Sequence, residues 1–375
     1  MSATPIRIPI SNILLGSDYT GKVFIGSQQK AVNLLLDTGS STLAVENRSY
    51  DPAHDANAKV TNMVQAVAYG DGSNWIGSVV RTDVKVSASA ASADLPSVAV
   101  AVAYHETADM FGKAQGILGL AYESLDDAYV LKRPTVPPNY TPNEIRTGRI
   151  THVEPYFMQL EKAGLVANKY SFYTRRSVIH ASNNPAADPL NNGFLILGGG
   201  EEATDMYSGS FQDAIVLSDD YYSVNLKAVI VGTGAPIPVE PPSFNDKVPT
   251  NAIVDSGTNG LDLDPNLFDA IAATLTSSQR HLLMARRVTT SSITLSEWPD
   301  LTFVLQGMTA DVRLVVKPEN YWQLDAGEAG LAVRSLWRGS SVQSILGLPL
   351  MNGYFTVFDD AANHGKGIVR FASIK

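Results

Sequence analysis

One short motif occurs twice in the chain, and each copy carries a carboxylate. The first copy reads LLLDTGS at residues 34–40 and the second reads AIVDSGT at residues 252–258. In both copies an apolar run, which predicts a strand, ends on Asp, a hydroxyl residue, Gly and a second hydroxyl residue. Because Gly permits a tight turn, we expect the carboxylates of Asp37 and Asp255 at strand ends, held by backbone amides and hydroxyls.

Two neighbouring carboxylates can perform acid–base chemistry. Both cannot ionise cheaply when they lie about one water apart, so one pKa is raised and the pair shares a proton. One Asp can then take a proton from a water while the other gives a proton to the substrate. This chemistry suits hydrolysis of an unactivated amide, and it predicts Asp37 and Asp255 as the catalytic pair, with no cofactor and no metal.

Each copy is followed by a second echo, GILGL at residues 116–120 and SILGL at residues 344–348. Motifs that recur in the same order indicate a repeated plan, so we predict two lobes that each contribute one carboxylate. The predicted N-terminal lobe covers residues 1–180 and the C-terminal lobe covers residues 181–375. An Asn-, Pro- and Ala-rich stretch at their junction favours this boundary.

The composition excludes several kinds of function. The chain has 375 residues, 45% of them apolar and 17% charged, which is typical of a globular protein large enough for two domains. Its formal net charge is −9 and it lacks a basic cluster, so we expect no nucleic-acid partner. There are no cysteines, which excludes disulfides and thiol catalysis, and the six histidines lack metal-ligand spacing.

The sequence also led to an expectation about location. No apolar run approaches the roughly 18 residues of a membrane span, and the N-terminus lacks an apolar signal core. We therefore predict a cytoplasmic protein without a membrane partner, with a secreted or periplasmic location as the alternative for a processed form. We expected a monomer.

Short β runs separated by Gly, Asn and Asp dominate the chain and predict an all-β architecture. They include residues 21–26, 79–86, 301–305, 312–316 and 354–358. Helical patterns are sparse and occur at residues 154–164 and 264–272. Three polar or Pro-rich stretches, 87–96, 132–148 and 233–249, predict surface loops.

These motifs give the chain, over nearly its whole length, a resemblance to the pepsin-like aspartic peptidases, and its lack of cysteine is similar to bacterial members without a propeptide. The resemblance implies a bilobal all-β fold of two β-barrel-like lobes, related by a pseudo-two-fold axis, with the active site in the cleft between them. It also implies six residues that support the pair: Thr38, Gly39, Ser40, Ser256, Gly257 and Thr258. In the family's pattern Thr38 and Ser256 cross-brace the two loops.

The sequence that begins at Tyr69 resembles the family's flap, the hairpin that folds over a bound peptide. On its own, Tyr-Gly-Asp-Gly predicts only a hairpin turn, and its place downstream of the first motif favours the flap. The resemblance implies that Tyr69 walls a substrate pocket and that Gly70 and Asp71 hydrogen-bond the substrate backbone. Asn259, in the second motif's loop, is a further candidate for substrate binding.

Five apolar residues are candidates for lining substrate subsites, and packing in the core is an equally open alternative for them. They are Met110, Phe111, Ile117, Ile253 and Ile345.

Two positions depart from the family's pattern. Ala44 stands where members commonly have a Trp that hydrogen-bonds the flap tyrosine, and Gln115 stands where an Asp is common. We expected Trp75, on the returning strand of the flap, to replace the missing indole.

The resulting prediction is an aspartic endopeptidase, sensitive to pepstatin, that cleaves extended peptides between bulky apolar residues. Since Ser40 and Thr258 favour an ionised carboxylate, we expected an acidic optimum. One alternative is a peptide- or protein-binding protein on the same scaffold that has lost catalysis, which Ala44 and Gln115 would favour. A two-carboxylate glycosidase is another, although both Asp turns are flanked by aliphatic rather than sugar-stacking aromatic residues.

Overall fold

The protein is described here from a computed structural model, which covers residues 4–70, 72–107, 109–243 and 248–375. Strands account for 42% of the residues and helices for 16%, and six of the strands form a closed barrel. The predicted all-β class is confirmed.

Strands follow one another closely in the first half of the chain. They are β1 (Ile6–Ser11), β2 (Thr20–Ile25), β3 (Lys30–Asp37), β4 (Leu43–Glu46), β5 (Lys59–Ala68), β6 (Asn74–Ser87), β7 (Ser92–Glu106), β8 (Gly116–Gly119), β9 (Asp127–Val130), β10 (Arg149–His152) and β11 (Lys169–Tyr173). In β1 the apolar residues Ile6, Ile8 and Ile10 are buried and alternate with exposed ones, because neighbouring side chains of a strand face opposite sides.

The second half adds shorter strands. They are β12 (Asn192–Leu197), β13 (Tyr207–Ile215), β14 (Ser223–Val224), β15 (Leu226–Val231), β16 (Ile237–Pro238), β17 (Ala252–Val254), β18 (Leu261–Leu263), β19 (Val288–Thr289), β20 (Leu301–Leu305), β21 (Val312–Val316), β22 (Trp322–Leu324), β23 (Leu331–Arg334), β24 (Leu336–Arg338), β25 (Ser344–Leu346), β26 (Tyr354–Asp359) and β27 (Ile368–Ile374).

One large sheet joins the two ends of the chain. Its fifteen strands run in the order β10-β9-β5-β6-β7-β4-β8-β3-β2-β1-β12-β11-β26-β27-β13. The strands β12, β13, β26 and β27 come after residue 180 and still belong to this sheet. The division between residues 180 and 181 stays a prediction.

The two motifs fold into the same local topology. Strand β3 runs parallel to β8, with Leu36 opposite Leu118, and β17 runs parallel to β25, with Val254 opposite Leu346. In the first half β8 also pairs antiparallel with β4, and in the second half β25 pairs antiparallel with β18. The echoed GILGL and SILGL segments therefore lie beside the two Asp-bearing strands.

The described residues also form six α-helices: α1 (Pro142–Thr147), α2 (Tyr156–Lys162), α3 (Pro265–Thr274), α4 (Ser277–Met284), α5 (Pro318–Tyr321) and α6 (Leu348–Met351). Both predicted helices are present, as α2 and α3. Asp264 caps α3, because its carboxylate accepts hydrogen bonds from the backbone N–H groups of Asn266 and Leu267. Ala163 lies just beyond the end of α2 and is exposed.

All three loop predictions were wrong in part. Residues 92–96 belong to β7, because the β6–β7 hairpin continues to a pair between Ser87 and Ser92 and leaves only a short turn. The stretch 132–148 contains α1, which begins with a capping box between Thr141 and Glu144. Loop 233–249 contains the short strand β16, and its residues 244–247 lie outside the described part of the chain.

No helix within the described residues is both long and apolar enough to cross a bilayer.

Candidate active site

The two predicted catalytic residues lie face to face. Asp37 is the last residue of β3 and Asp255 directly follows β17, and both are buried, with 5% and 7% of their surface exposed. A Cβ atom on Gly39 would lie 2.8 Å from the Asp255 carboxylate, and one on Gly257 would lie 2.3 Å from Asp37 Oδ1. The glycine of each motif is therefore required by the carboxylate of the other.

Each carboxylate is held by its own loop in the same way. Gly39 N–H donates to Asp37 Oδ1 at 2.7 Å, and the Ser40 hydroxyl donates to Asp37 Oδ2.

In the second loop Gly257 N–H donates to Asp255 Oδ1 at 2.8 Å, and the Thr258 hydroxyl donates to Asp255 Oδ2 at 2.7 Å. The implied contacts of Ser40 and Thr258 are thus present, and they fix the orientation of both carboxylates.

The middle hydroxyl residues connect the loops. Thr38 Oγ1 donates to the Val254 carbonyl at 3.1 Å and accepts from Ser256 N–H at 2.9 Å. Reciprocally, Ser256 Oγ donates to the Leu36 carbonyl at 2.9 Å and accepts from Thr38 N–H at 3.1 Å. All four contacts are buried, so they cross-brace the two strand ends.

Burial and mutual repulsion change the titration of the pair. Burial and then the charge of Asp255 raise the pKa of Asp37 well above its ordinary value, and the hydrogen bonds from Ser40 and Gly39 oppose this only in part. Because the carboxyls are also within hydrogen-bond reach of each other, the geometry favours one proton held between them.

The predicted flap is the turn between β5 and β6. Tyr69 N–H donates to the Ser73 carbonyl at 2.9 Å, and Gly72 closes the turn with a positive φ of 88°, which a glycine adopts without strain. A Cβ atom on Gly70 would meet no atom within 4 Å, so this backbone faces open space. Asp71 lies outside the described residues.

Trp75 takes the place of the tryptophan expected at Ala44. Both residues are fully buried in one apolar cluster. The indole Nε1 of Trp75 donates to the Tyr69 hydroxyl at 3.2 Å, and burial followed by the charge of Asp37 raises the pKa of Tyr69. Trp75 lies on β6, which β7 separates from β4, and the small side chain of Ala44 leaves room for its indole in the shared cluster.

Gln115, the second departure, is fully used in hydrogen bonding. Its Oε1 accepts from Asn33 N–H at 3.0 Å and its Nε2 donates to Ser49 Oγ at 3.3 Å. Since an amide both donates and accepts, Gln115 connects the start of β3 to the chain after β4.

Three of the five subsite candidates lie together below the flap. Phe111 and Ile117 are buried in the cluster of Trp75, and Met110 packs against it together with Tyr69.

The other two candidates lie beside the second motif. Ile253 is buried and pairs in register with the half-buried Ile345, one on β17 and one on β25. Asn259 is half-buried in the loop that follows Asp255. The structure thus divides the five apolar candidates between the two sides of the pair.

Two residues near the pair were missed. Burial and then the charge of Asp255 raise the pKa of Asp18 to about 7, although Ser17 opposes the shift, and its Oδ1 has no hydrogen-bond partner within the described chain. Burial, followed by the charges of Asp255 and Asp37, also raises the pKa of Tyr221. Neither residue belongs to a repeated motif, so the sequence held no signal for its position.

Three curated proteins are similar in sequence to this chain. Secreted aspartic protease 4 of Candida albicans is 25% identical over 71% of this chain and 56% of its own length. Beta-secretase of Strongylocentrotus purpuratus is 25% identical over 92% of the chain and 65% of its own length. Pepsin B of Canis lupus familiaris is 24% identical over 95% and 82%. The chain thus spans little more than half the length of the Candida relative.

These relatives correct one expectation. The Candida relatives are named secreted proteases, which points to a secreted protein, so the predicted cytoplasmic location is wrong. That expectation rested on the absence of an apolar signal core, and the first residues of this sequence do not determine the location. The likeness to bacterial members stays a prediction, since the three relatives above come from a fungus and two animals.

The family comparison extends over nearly the entire chain. The profile of the eukaryotic aspartyl proteases matches residues 18–372, which include both motifs, both echoes and the flap turn. The mirrored loops around Asp37 and Asp255 lie inside this match. The chain therefore belongs to the eukaryotic aspartyl protease family.

Proposed function

We propose that the protein is an aspartic endopeptidase in which Asp37 and Asp255 activate a shared water. The observation that carries this proposal is the mirrored geometry of the two carboxylates, each held by a glycine N–H and a hydroxyl of its own loop. Two oriented carboxyls that hold one proton supply both a base and an acid.

In the proposed reaction the two carboxyl groups supply and accept every proton that is transferred. The ionised carboxylate takes a proton from the water as the water oxygen bonds to the peptide carbonyl carbon, and the protonated carboxyl gives its proton to the carbonyl oxygen. The tetrahedral intermediate then collapses as the carbon–nitrogen bond breaks. The carboxyl that took the water proton gives it to the leaving nitrogen, and the other carboxylate takes a proton from one hydroxyl of the intermediate, so the pair again holds one proton. Gly39 N–H and Ser40 Oγ hold Asp37 throughout, and Gly257 and Thr258 hold Asp255.

We further propose that the substrate is an extended peptide with bulky apolar residues at the scissile bond. The apolar cluster of Met110, Phe111 and Ile117 beside Tyr69 supports apolar subsites on the flap side. The open backbone at Gly70 supports pairing of the peptide with the flap as an added strand. Because one chain supplies both carboxylates, a monomer suffices.

The proposed optimum is acidic. The pair works while it holds one proton, and that proton is lost as the pH rises through the raised pKa of Asp37. Activity should therefore fall on the alkaline side.

The rival function, a binding protein without catalysis, loses its main support. It rested on the absent tryptophan at Ala44, and Trp75 makes the expected hydrogen bond to Tyr69 instead.

The test is cleavage of a denatured protein at about pH 4, with and without pepstatin, by the wild type and by Asp37→Asn. Asp269→Asn, an exposed carboxylate on α3, is the matched control. We expect cleavage that pepstatin blocks, that Asp37→Asn abolishes and that the control retains. Cleavage that survives Asp37→Asn would overturn the mechanism, and binding of the peptide without cleavage by the wild type would favour the rival.

A further inference from the structure

A cavity with a volume of about 340 Å³ opens on the C-terminal part of the chain and shares no lining residue with the candidate active site. Two arginines, one tryptophan and small aliphatic side chains line it. The lining includes Arg286, Arg334, Trp322, Val288 and Ala332.

The floor of the cavity is one face of a three-stranded sheet. Val288 of β19 pairs with Ala332 of β23, and Trp322 of β22 pairs with Arg334. Because alternate residues of a strand face the same side, Ala332 and Arg334 share a face. Their cross-strand partners lie on the same face. Val288 and Ala332 therefore form an aliphatic part of the floor, beside Trp322 and Arg334, which carry hydrogen-bond donors.

Two buried donors on this floor lack an acceptor. Trp322 is only 1% exposed, and its indole Nε1 has no hydrogen-bond partner among the residues that the structure describes. The Nε of Arg334 is likewise buried without a partner in that part of the chain. A buried unpaired donor costs about 1–3 kcal/mol, so both groups favour a ligand that accepts hydrogen bonds.

The charge around the cavity is positive. Neither Arg286 nor Arg334 has a carboxylate within 4.0 Å in the described chain, whereas the neighbouring Arg287 lies 3.5 Å from Glu328. Burial alone lowers the pKa of Arg334. The C-terminal end of helix α4 also lies at the cavity and contributes a partial negative charge. That charge is only about half an elementary charge, whereas the two guanidinium groups contribute two positive charges.

We propose that this cavity binds a small oxyanion, a phosphate or a carboxylate, between the exposed Arg286 and the buried donors of Arg334 and Trp322. A guanidinium presents parallel N–H groups that match two oxygens of such an anion. The aliphatic side chains of Val288 and Ala332 leave space for a short alkyl group.

The test is calorimetric titration of the intact protein at neutral pH, with inorganic phosphate in one arm and butyrate in the other. We expect saturable binding, weakened at least tenfold by Arg334→Gln and about threefold by Arg286→Gln, whose exposed charge is better screened. Arg149→Gln, an exposed arginine on β10, is the matched control and should leave binding unchanged. The two arms separate phosphate from carboxylate as the source of the oxyanion.

No binding of either probe at millimolar concentration would overturn the proposal. Binding by Arg334→Gln and Arg286→Gln that is as tight as binding by the wild type would also overturn it, because the anion would then lie elsewhere. Arg286 is exposed, so its variant tests the site even if Arg334→Gln does not fold. Binding does not require peptidase activity, and failure of one proposal leaves the other intact.

Discussion

The two active-site loops have nearly the same hydrogen bonds around their carboxylates but differ one step further out. Five residues after Asp37 the N-terminal loop has Thr42, whose hydroxyl donates to the buried Asp126 at 2.6 Å. Five residues after Asp255 the C-terminal loop has Gly260, where a Cβ atom would lie 2.7 Å from the Trp337 ring. A buried carboxylate thus supports one loop, and an aromatic ring supports the other.

The flap adds to this asymmetry. Asp126 also accepts from Gln65 Nε2 at 2.5 Å, and Gln65 lies on β5, the strand that leads into Tyr69. The N-terminal loop is therefore connected to the flap by a polar network. The symmetric inner contacts position the pair, and the asymmetric outer contacts couple the N-terminal loop to the flap.

The largest effect is expected when either of the two symmetrically held carboxylates is replaced. Asp37→Asn and Asp255→Asn should each lower kcat by about 10⁴-fold, because either change removes the base or the acid of one shared unit. Steady-state cleavage of one peptide by both variants measures this. A hundredfold difference between the two losses would show that the halves are not equivalent.

The cross-brace should give the next largest effect. Thr38→Val and Ser256→Ala each leave buried backbone groups without partners and should lower the free energy of unfolding by about 2 kcal/mol. Because the two hydroxyls act in one network, the double variant should lose less than the sum of the single losses.

Urea unfolding of the three variants measures the coupling, with the exposed Thr204→Val as control. Strictly additive losses would contradict a shared network.

A smaller effect should be confined to the flap side. Trp75→Phe keeps an aromatic ring but removes the donor to Tyr69, so kcat/KM should fall about tenfold. Trp298→Phe changes a buried tryptophan of the other half and should affect stability without affecting kcat/KM. Equal losses of kcat/KM in both variants would mean that the Trp75 contact has no specific role.

The remaining prediction concerns the pH dependence of stability rather than catalysis. Burial raises the pKa of Asp126 to about 7, against the hydrogen bonds of Thr42 and Gln65. The folded state then binds a proton that the unfolded state releases, so stability should fall as the pH rises from about 4 to 7. Asp126→Asn should flatten this dependence in a series of thermal melts. An unchanged slope would show that Asp126 does not titrate in this range.

The features of the structure that arise from local or repeated sequence patterns could be predicted from the sequence. The short β runs predicted the all-β fold. The doubled motif and its echo predicted that Asp37 and Asp255 would meet, because each repeated phrase encodes one strand, one turn and one neighbouring strand. The helices α2 and α3 were predicted from equally local patterns.

Contacts between unrelated segments could not be predicted in the same way. The approach of Trp75 to Ala44 was a hypothesis from a missing residue, whereas the burial of Asp18 and Asp126 depends on packing of distant strands and left no mark in the sequence. The strand at residues 92–96 was missed for a similar reason, since its pairing with β6 outweighs the local preference of a Pro-containing segment.

The most direct test of the central claim is the pH dependence of kcat/KM for cleavage of one extended apolar peptide. The shared proton predicts a bell-shaped profile with its maximum at acidic pH and a loss of activity as the pH rises through the raised pKa of Asp37. An activity that stays constant or increases up to neutral pH would contradict the claim that Asp37 and Asp255 work with one proton between them.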